Sequence, residues 1–311
     1  MLLLHCSFSW FGGRFRGKFT MAENKEKPDI LFLSDTQAPM LVERLVLRTH
    51  QNTKATMTIF AEILRVKPPA LYWLGDIVSL GFRDNKWSII DRFLENCRHA
   101  GTSVYAIMGN HDVMGRPRKG ARNFQQRFPE HVLTGYVQTT DDVAVVMLNS
   151  NFSALSVADR VKQQTWYGQT LTELDANPAV RVVIVTCHHA PYSNSKLVGS
   201  SGSVQKRFVP DYVKSQKARL FITGHSHAFE RYEFEGKTFL VIGGGGGLRQ
   251  PLNTSPSRLP DLATDYKPMF HYLAVRREGD GLALTSYHLK KDFSGFEVGY
   301  RFEIPAKEIP G

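Results

Sequence analysis

From Asp29 to Gly247 the chain repeats one pattern, a short apolar run closed by polar or glycine residues. The runs are Ile30–Leu33, Ala70–Leu74, Val104–Met108, Val143–Leu148, Val180–Val185, Leu220–Ile222 and Phe239–Ile242. Each has strand length and is rich in β-branched and aromatic residues, so each predicts a strand. Between them, helical spacing predicts helices over 40–66, Trp87–Ala100, Ala158–Asp175 and Val204–Lys217. Leu41, Leu45, Ile59, Ile63 and Leu64 mark the apolar positions of the first, and Gly101 stops the second. Past Gly247, residues 270–289 predict a hairpin about a Gly279–Asp280–Gly281 turn, and 298–304 a last strand. Strands alternating with helices predict βαβ units and mostly parallel strands packed under helices. In such sheets the ligand site lies at the carboxyl ends of the strands.

Composition narrows the class. At 311 residues, 42% hydrophobic, the chain can bury a substantial core, which excludes disordered and disulfide-stapled classes. No apolar run approaches the roughly 20 residues of a membrane-spanning helix. The net charge of +10 favours anionic partners. Cys6, Cys97 and Cys187 give no disulfide framework and suit a reducing, cytoplasmic setting. Residues 1–28 read as a basic tail ahead of a domain over 29–311. The natural start is expected at Met21, with a transit-like leader as the alternative. In that tail Gly12, Gly17 and Lys18 imitate a phosphate loop, but Phe19 stands where a hydroxyl residue is needed. The Gly243–Gly247 run likewise fails the dinucleotide fingerprint, because its last position falls on Leu248.

The chemistry sits where the runs end. Ser34–Asp35–Thr36–Gln37, Gly75–Asp76, Gly109–Asn110–His111–Asp112, His188–His189 and Gly224–His225–Ser226–His227 each follow an apolar run. The steps between them suit βαβ units of roughly 30 residues or more, the step from Asn110 to His188 counting as two. Carboxylate, carboxamide and imidazole donors suit Mg, Mn, Fe or Zn. The set exceeds what one ion needs and points to two ions about 3.5–4 Å apart, with one Asp bridging them. Val185-x-x-His188 spacing, with Tyr192 four residues on, favours His188 over His189 as donor, leaving His189 to line the pocket.

Gly75–Asp76, Gly109–Asn110–His111–Asp112 and Gly224–His225–Ser226–His227, in this order, resemble the calcineurin-like metallophosphoesterase superfamily. Residues 224–231 (GHSHAFER), Val185-x-x-His188 and Pro191–Tyr192 are similar to its purple acid phosphatase branch. The resemblance implies an α/β fold, a single-domain four-layer α-β-β-α sandwich of two mixed sheets. It implies that Asp35, Asp76 and His227 hold one ion, and that Asp76, Asn110, His188 and His225 hold the other. A bridging hydroxide would attack phosphorus. His111 would serve the leaving oxygen, with Asp112 as its orienting partner.

Two positions depart from the pattern. Gln37 stands where His or Gly is usual, and its carboxamide oxygen is a candidate ligand suited to harder ions. Ser79 replaces the tyrosine of the purple branch, so no iron-tyrosinate colour is expected.

The expected function is metal-dependent hydrolysis of a phosphorylated small molecule, as monoester or diester. A nuclease on the same fold and a non-catalytic scaffold are the alternatives. Nucleic acid is not favoured, since aromatics do not interleave with Lys and Arg. Arg116, Arg118, Lys119 and Arg122 could meet a second phosphate or form a solvated basic loop. Residues 248–268 are expected to form a long loop, covering the substrate or running over the surface.

Overall fold

The computed structural model describes residues 30–279 and 281–305, together with the short strands β1 (Ser9–Trp10) and β2 (Gly13–Arg14). The expected domain start, the Met21 start and Asp280 of the hairpin turn lie outside the described residues. In chain order there follow β3 (Ile30–Leu33), α1 (Leu41–Arg44), α2 (Asn52–Val66), β4 (Ala70–Trp73), α3 (Ser88–His99) and β5 (Ser103–Ala106). Next come α4 (Asn110–Val113), α5 (Pro117–Gln125), β6 (Tyr136–Thr140), β7 (Val143–Met147), α6 (Val157–Ala176) and β8 (Val182–Thr186). The chain continues through α7 (Gly202–Arg207), α8 (Val209–Lys214), β9 (Ala218–Thr223), β10 (Phe229–Phe234) and β11 (Lys237–Ile242). It closes with β12 (His271–Glu278), β13 (Gly281–Leu289) and β14 (Phe296–Ile304).

The strands form two six-stranded sheets, ordered β10-β11-β9-β8-β7-β6 and β14-β13-β12-β3-β4-β5. The first has a parallel centre and antiparallel edges, the second a parallel half (β3-β4-β5) and an antiparallel half, so both are mixed where the residue pattern alone predicts mostly parallel pairing. Side-chain alternation builds the layers. Along β3, Leu31 and Leu33 pack with Ile59, Phe60 and Phe93 of the helices outside. Ile30 and Phe32 face inward to meet Val145, Ile184 and Ile222 of the other sheet. In β7, Ala144 and Val146 face outward to Tyr167 and Leu171 of α6. Three apolar layers therefore separate four layers of secondary structure, a single-domain α-β-β-α sandwich.

Three segments differ from the sequence expectation. The 40–66 helix is broken into α1 and α2, because Gln51 turns left-handed (φ 57°) and Asn52 is tied elsewhere. The Asn52 amide donates to the carbonyls of Gly246 and Gly247 at 2.9 and 3.0 Å, and Thr56 Oγ1 to Gly245 at 3.0 Å. Those tethers fix where α2 begins, beside the glycine run. The 204–217 helix is split at Phe208, since Pro210 has no N–H to continue the ladder. Residues 117–125, read as loop, form α5, started by Pro117 in its first turn. The hairpin forms as expected, with Glu278 paired to Gly281.

Candidate metal centre

β3, β4, β8 and β9 run so that their carboxyl ends meet, and the loops leaving them interlock. Asp35 N donates to Gly75 O at 3.1 Å, Gln37 N to Asp76 O at 3.1 Å, and Gly224 N to His188 O at 3.0 Å. Asp35, Asp76 and His225 hold φ of 58°, 50° and 66°, a left-handed backbone that side chains adopt at a cost of about 1–3 kcal/mol. The sharp turns aim these side chains across the strand ends. Glycine is needed beside them. A Cβ on Gly109 would sit 2.1 Å from Asp76 Oδ1, and one on Gly224 would sit 2.4 Å from Asp35 Oδ2.

The side chains then form a continuous chain of donor atoms. His188 Nε2 lies 3.1 Å from Asn110 Oδ1 and 3.3 Å from Asp76 Oδ2. Asp76 Oδ2 is 3.5 Å from Gln37 Nε2, which is 3.2 Å from His227 Nε2. His227 Nε2 lies 3.3 Å from Asp35 Oδ1. His225 joins beside His188, and ligand atoms of Asp76, His188 and His225 all fall within 4.8 Å of one another. The structure thus brings together every residue assigned from sequence to an ion.

Outer contacts orient these donors. His188 Nδ1 donates to Leu74 O at 2.8 Å and His227 Nδ1 to Leu248 O at 2.6 Å, which turns both Nε2 atoms inward. Asp76 Oδ1 accepts from His111 N at 2.8 Å, and the Asp35 carboxylate from His225 N at 3.0 Å. Gln37 is 1% exposed and its Oε1 has no hydrogen-bond partner. His189 stands apart from the carboxylates, with Nδ1 2.8 Å from Ser150 Oγ and its ring 4.4 Å from that of His225.

Electrostatics follow from this packing. Burial works to raise the Asp76 carboxyl, but the His188 and His111 imidazoles outweigh it and hold Asp76 below the usual carboxylate range. Burial pulls His188 down, yet Asp76 overrides it and holds the imidazole up at about 9. Burial, then the neighbouring charge of His188, pushes His189 down to about 3. The Asp112 carboxyl is pushed up to about 7 by burial and by Asp76.

His111 is 8% exposed, with Nε2 3.9 Å from Asp76 Oδ2 and 3.7 Å from Glu43 Oε1. Its Nδ1 donates to Ser79 O at 3.3 Å. The expected contact of Asp112 with the His111 ring is not among its hydrogen bonds. Its carboxylate accepts from the amides of Gly109 (2.8 Å), Ile77 (3.0 Å) and Val78 (3.2 Å), sewing two site loops together. The reason is local: Asp112 is the third residue of α4, where a carboxylate reaches back to the N-cap amide.

Several functional neighbours were not singled out in the sequence. Glu230, fully buried, accepts from Ser193 Oγ (2.8 Å), Asn194 N (2.7 Å), Ser226 Oγ (3.0 Å) and Tyr232 OH (2.6 Å). Its place within GHSHAFER was the available signal. Glu43 and Ser150 had none. Residues 248–268 are stitched beside the centre. Asn194 bonds Leu259 through both side-chain atoms, and Gln250 joins Ser195 Oγ (2.7 Å) to His225 O (3.3 Å). In the basic run, Lys119 pairs with Asp84 at 2.9 Å and Arg116 lies over the Phe82 ring.

A sequence profile of calcineurin-like phosphoesterases matches residues 28–229. The chain belongs to the calcineurin-like phosphoesterase family. Solved structures agree in fold. A purple acid phosphatase from yellow lupin (Lupinus luteus) seeds superposes with TM-score 0.67 at 15% identity, covering 90% of this chain and 54% of that one. The chain therefore spans about half the length of that relative. GAP50, described as the anchor in the inner membrane complex of Plasmodium, gives 0.61 at 14%, covering 90% of this chain and 89% of that one. A dimetal phosphatase from Danio rerio gives 0.53 at 14%, covering 90% of this chain and 100% of that one. No helix among the described residues is long and apolar enough to cross a membrane.

Proposed function

We propose that this chain is a two-metal phosphoester hydrolase acting on a phosphorylated small molecule. The observation that carries the reading is the unbroken chain from Asn110 through His188, Asp76, Gln37 and His227 to Asp35. The donors fit metal ions in their chemistry, because both ring Nδ1 atoms of His188 and His227 are committed to carbonyls. Asp35, Gln37, His227 and Asp76 would hold one ion, and Asp76, Asn110, His188 and His225 the other. When bound, two divalent ions supply charge neutralisation at phosphorus and a nucleophile from water near neutral pH.

Gln37 enters as a ligand through its oxygen. Turning the carboxamide by half a rotation places the partnerless Oε1 where Nε2 now faces Asp76 and His227. The resulting oxygen-rich set favours Mn or Mg over Zn at that position. His111 is the group placed to hold or give a proton at the leaving oxygen, with Nδ1 anchored on Ser79 and Nε2 toward the site. Cys97 and Cys187 are buried and free, which supports a reducing, cytoplasmic setting.

The non-catalytic scaffold reading draws on Gln37 alone, and the complete donor chain speaks against it. Metal titration of stripped protein tests the proposal. Two Mn ions per chain are expected, and fewer in Asp76→Asn; a protein binding none contradicts the reading.

A further inference from the structure

The end of the molecule that carries the candidate metal centre also carries an apolar helix without a partner among the described residues. Leu41 and Val42 of α1 are 78% and 62% exposed, and Leu45 and Val46, which follow it, are 81% and 75% exposed. No residue of α1 is buried. Single exposed aliphatics are ordinary, whereas four within six positions form a patch. Glu43 fixes this helix at the site, with Oε2 accepting from Met40 N at 2.6 Å and Oε1 3.7 Å from His111 Nε2.

The exposed charge at this end is mainly positive, with Asp265 and Asp292 the first exposed acids that follow Arg249 and Lys291 in sequence. Arg44 and Arg48 lie in the same segment. Lys196 follows β8 and Arg249 follows β11. Lys290 and Lys291 follow β13, which runs in the same direction as β3 through two antiparallel pairings. All six are exposed, and all follow strand ends on the side of the sheets that carries the site. The opposite ends of the sheets carry Asp141, Asp142, Glu235 and Glu278, beside Lys67 and Arg181.

We propose that this face docks on an anionic lipid surface, and that the phosphoester presented to the site belongs to a lipid headgroup. The four aliphatics enter the headgroup–acyl boundary while the arginines and lysines meet lipid phosphates. One helical turn suits insertion at that shallow depth. It is too small for a stable protein interface, which takes about 800 Å² from each partner. The substrate half of this inference rests on the phosphoester hydrolase reading; the docking half does not.

The test uses the full chain in EDTA, so that binding is read without turnover. Co-sedimentation is compared on phosphatidylcholine vesicles with and without about 30% phosphatidylserine. Binding is expected only to the anionic vesicles, weakening as salt rises. Leu41→Ser with Leu45→Ser, both on the open surface, should lower it about ten-fold. That double variant should leave metal-supported hydrolysis of soluble p-nitrophenyl phosphate esters unchanged. Absence of vesicle binding overturns the proposal. So does binding that survives in the variant, which would place the attraction in the basic tail, and so does a concentration-dependent dimer lost in the variant. Vesicle binding without hydrolysis of any ester would keep the docking surface and remove the hydrolase reading.

Discussion

The Glu230 carboxylate accepts a hydrogen bond from Ser226 Oγ at 3.0 Å, so the residue between His225 and His227 is anchored to a buried charge. The same carboxylate holds Ser193 and Asn194, from which the 248–268 loop is hung. One side chain thereby couples the His-x-His turn to the wall of the site. Glu230→Ala leaves several buried donors without an acceptor and should lower stability by about 2–4 kcal/mol. Metal affinity should fall about ten-fold or more, because the turn presenting His225 and His227 loosens. Urea unfolding and metal titration read the two effects separately.

Gly109 has no room for a side chain. In Gly109→Ala the new Cβ would meet Asp76 Oδ1, so either the loop or the carboxylate must shift. The expected outcome is a loss of metal affinity of about ten-fold or more. The stability cost should be about 1–3 kcal/mol. Metal titration alongside urea denaturation checks both.

Asp112 is structural in its contacts. Asp112→Asn keeps one acceptor oxygen and gives up at least one of three backbone amides, so a stability loss of about 1–3 kcal/mol is expected. The Nδ1 contact of His111 to Ser79 should survive, because Asp112 does not make it. Denaturation measures the first effect.

Stability should weaken in acid through His271. Its ring is buried with both nitrogens unpartnered, and burial, then the charges of His288 and Lys267, push it down to about 3 from 6.5. Between these values the unfolded chain binds the proton that the folded chain refuses, so stability falls as pH falls. The contribution is complete above about pH 6.5 and is lost toward pH 3, at up to about 1.4 kcal/mol per pH unit. Urea midpoints from pH 7 to 4 should show a shallower decline in His271→Asn.

Much of the fold is legible because its central strands are buried on both faces and read as plain apolar runs, as in Val143–Met147 and Val182–Thr186. The edge strands of the first sheet are not: β6 (YVQTT) and β10 (FERYEF) mix polar residues with aromatics and carry no such run. The break between α1 and α2 is set by Asn52 reaching Gly246, a contact between segments far apart in the chain. At the centre, a donor residue after each strand end was readable, since strand direction alone carries it to the site. The direction of a side chain was not. Asp112 follows His111 in sequence yet faces the amides of 77, 78 and 109. Glu230 has no local partner to betray it except Ser226 and Tyr232.

The central claim is metal-dependent phosphoester hydrolysis. Its most direct test is turnover of bis-p-nitrophenyl and p-nitrophenyl phosphate by metal-stripped protein to which Mn, Mg, Zn or Fe is returned. The account predicts activity that appears only with metal, is greatest with Mn or Mg, and is lost in Asp76→Asn. Folded protein that binds two ions and turns over neither ester with any of them would contradict it.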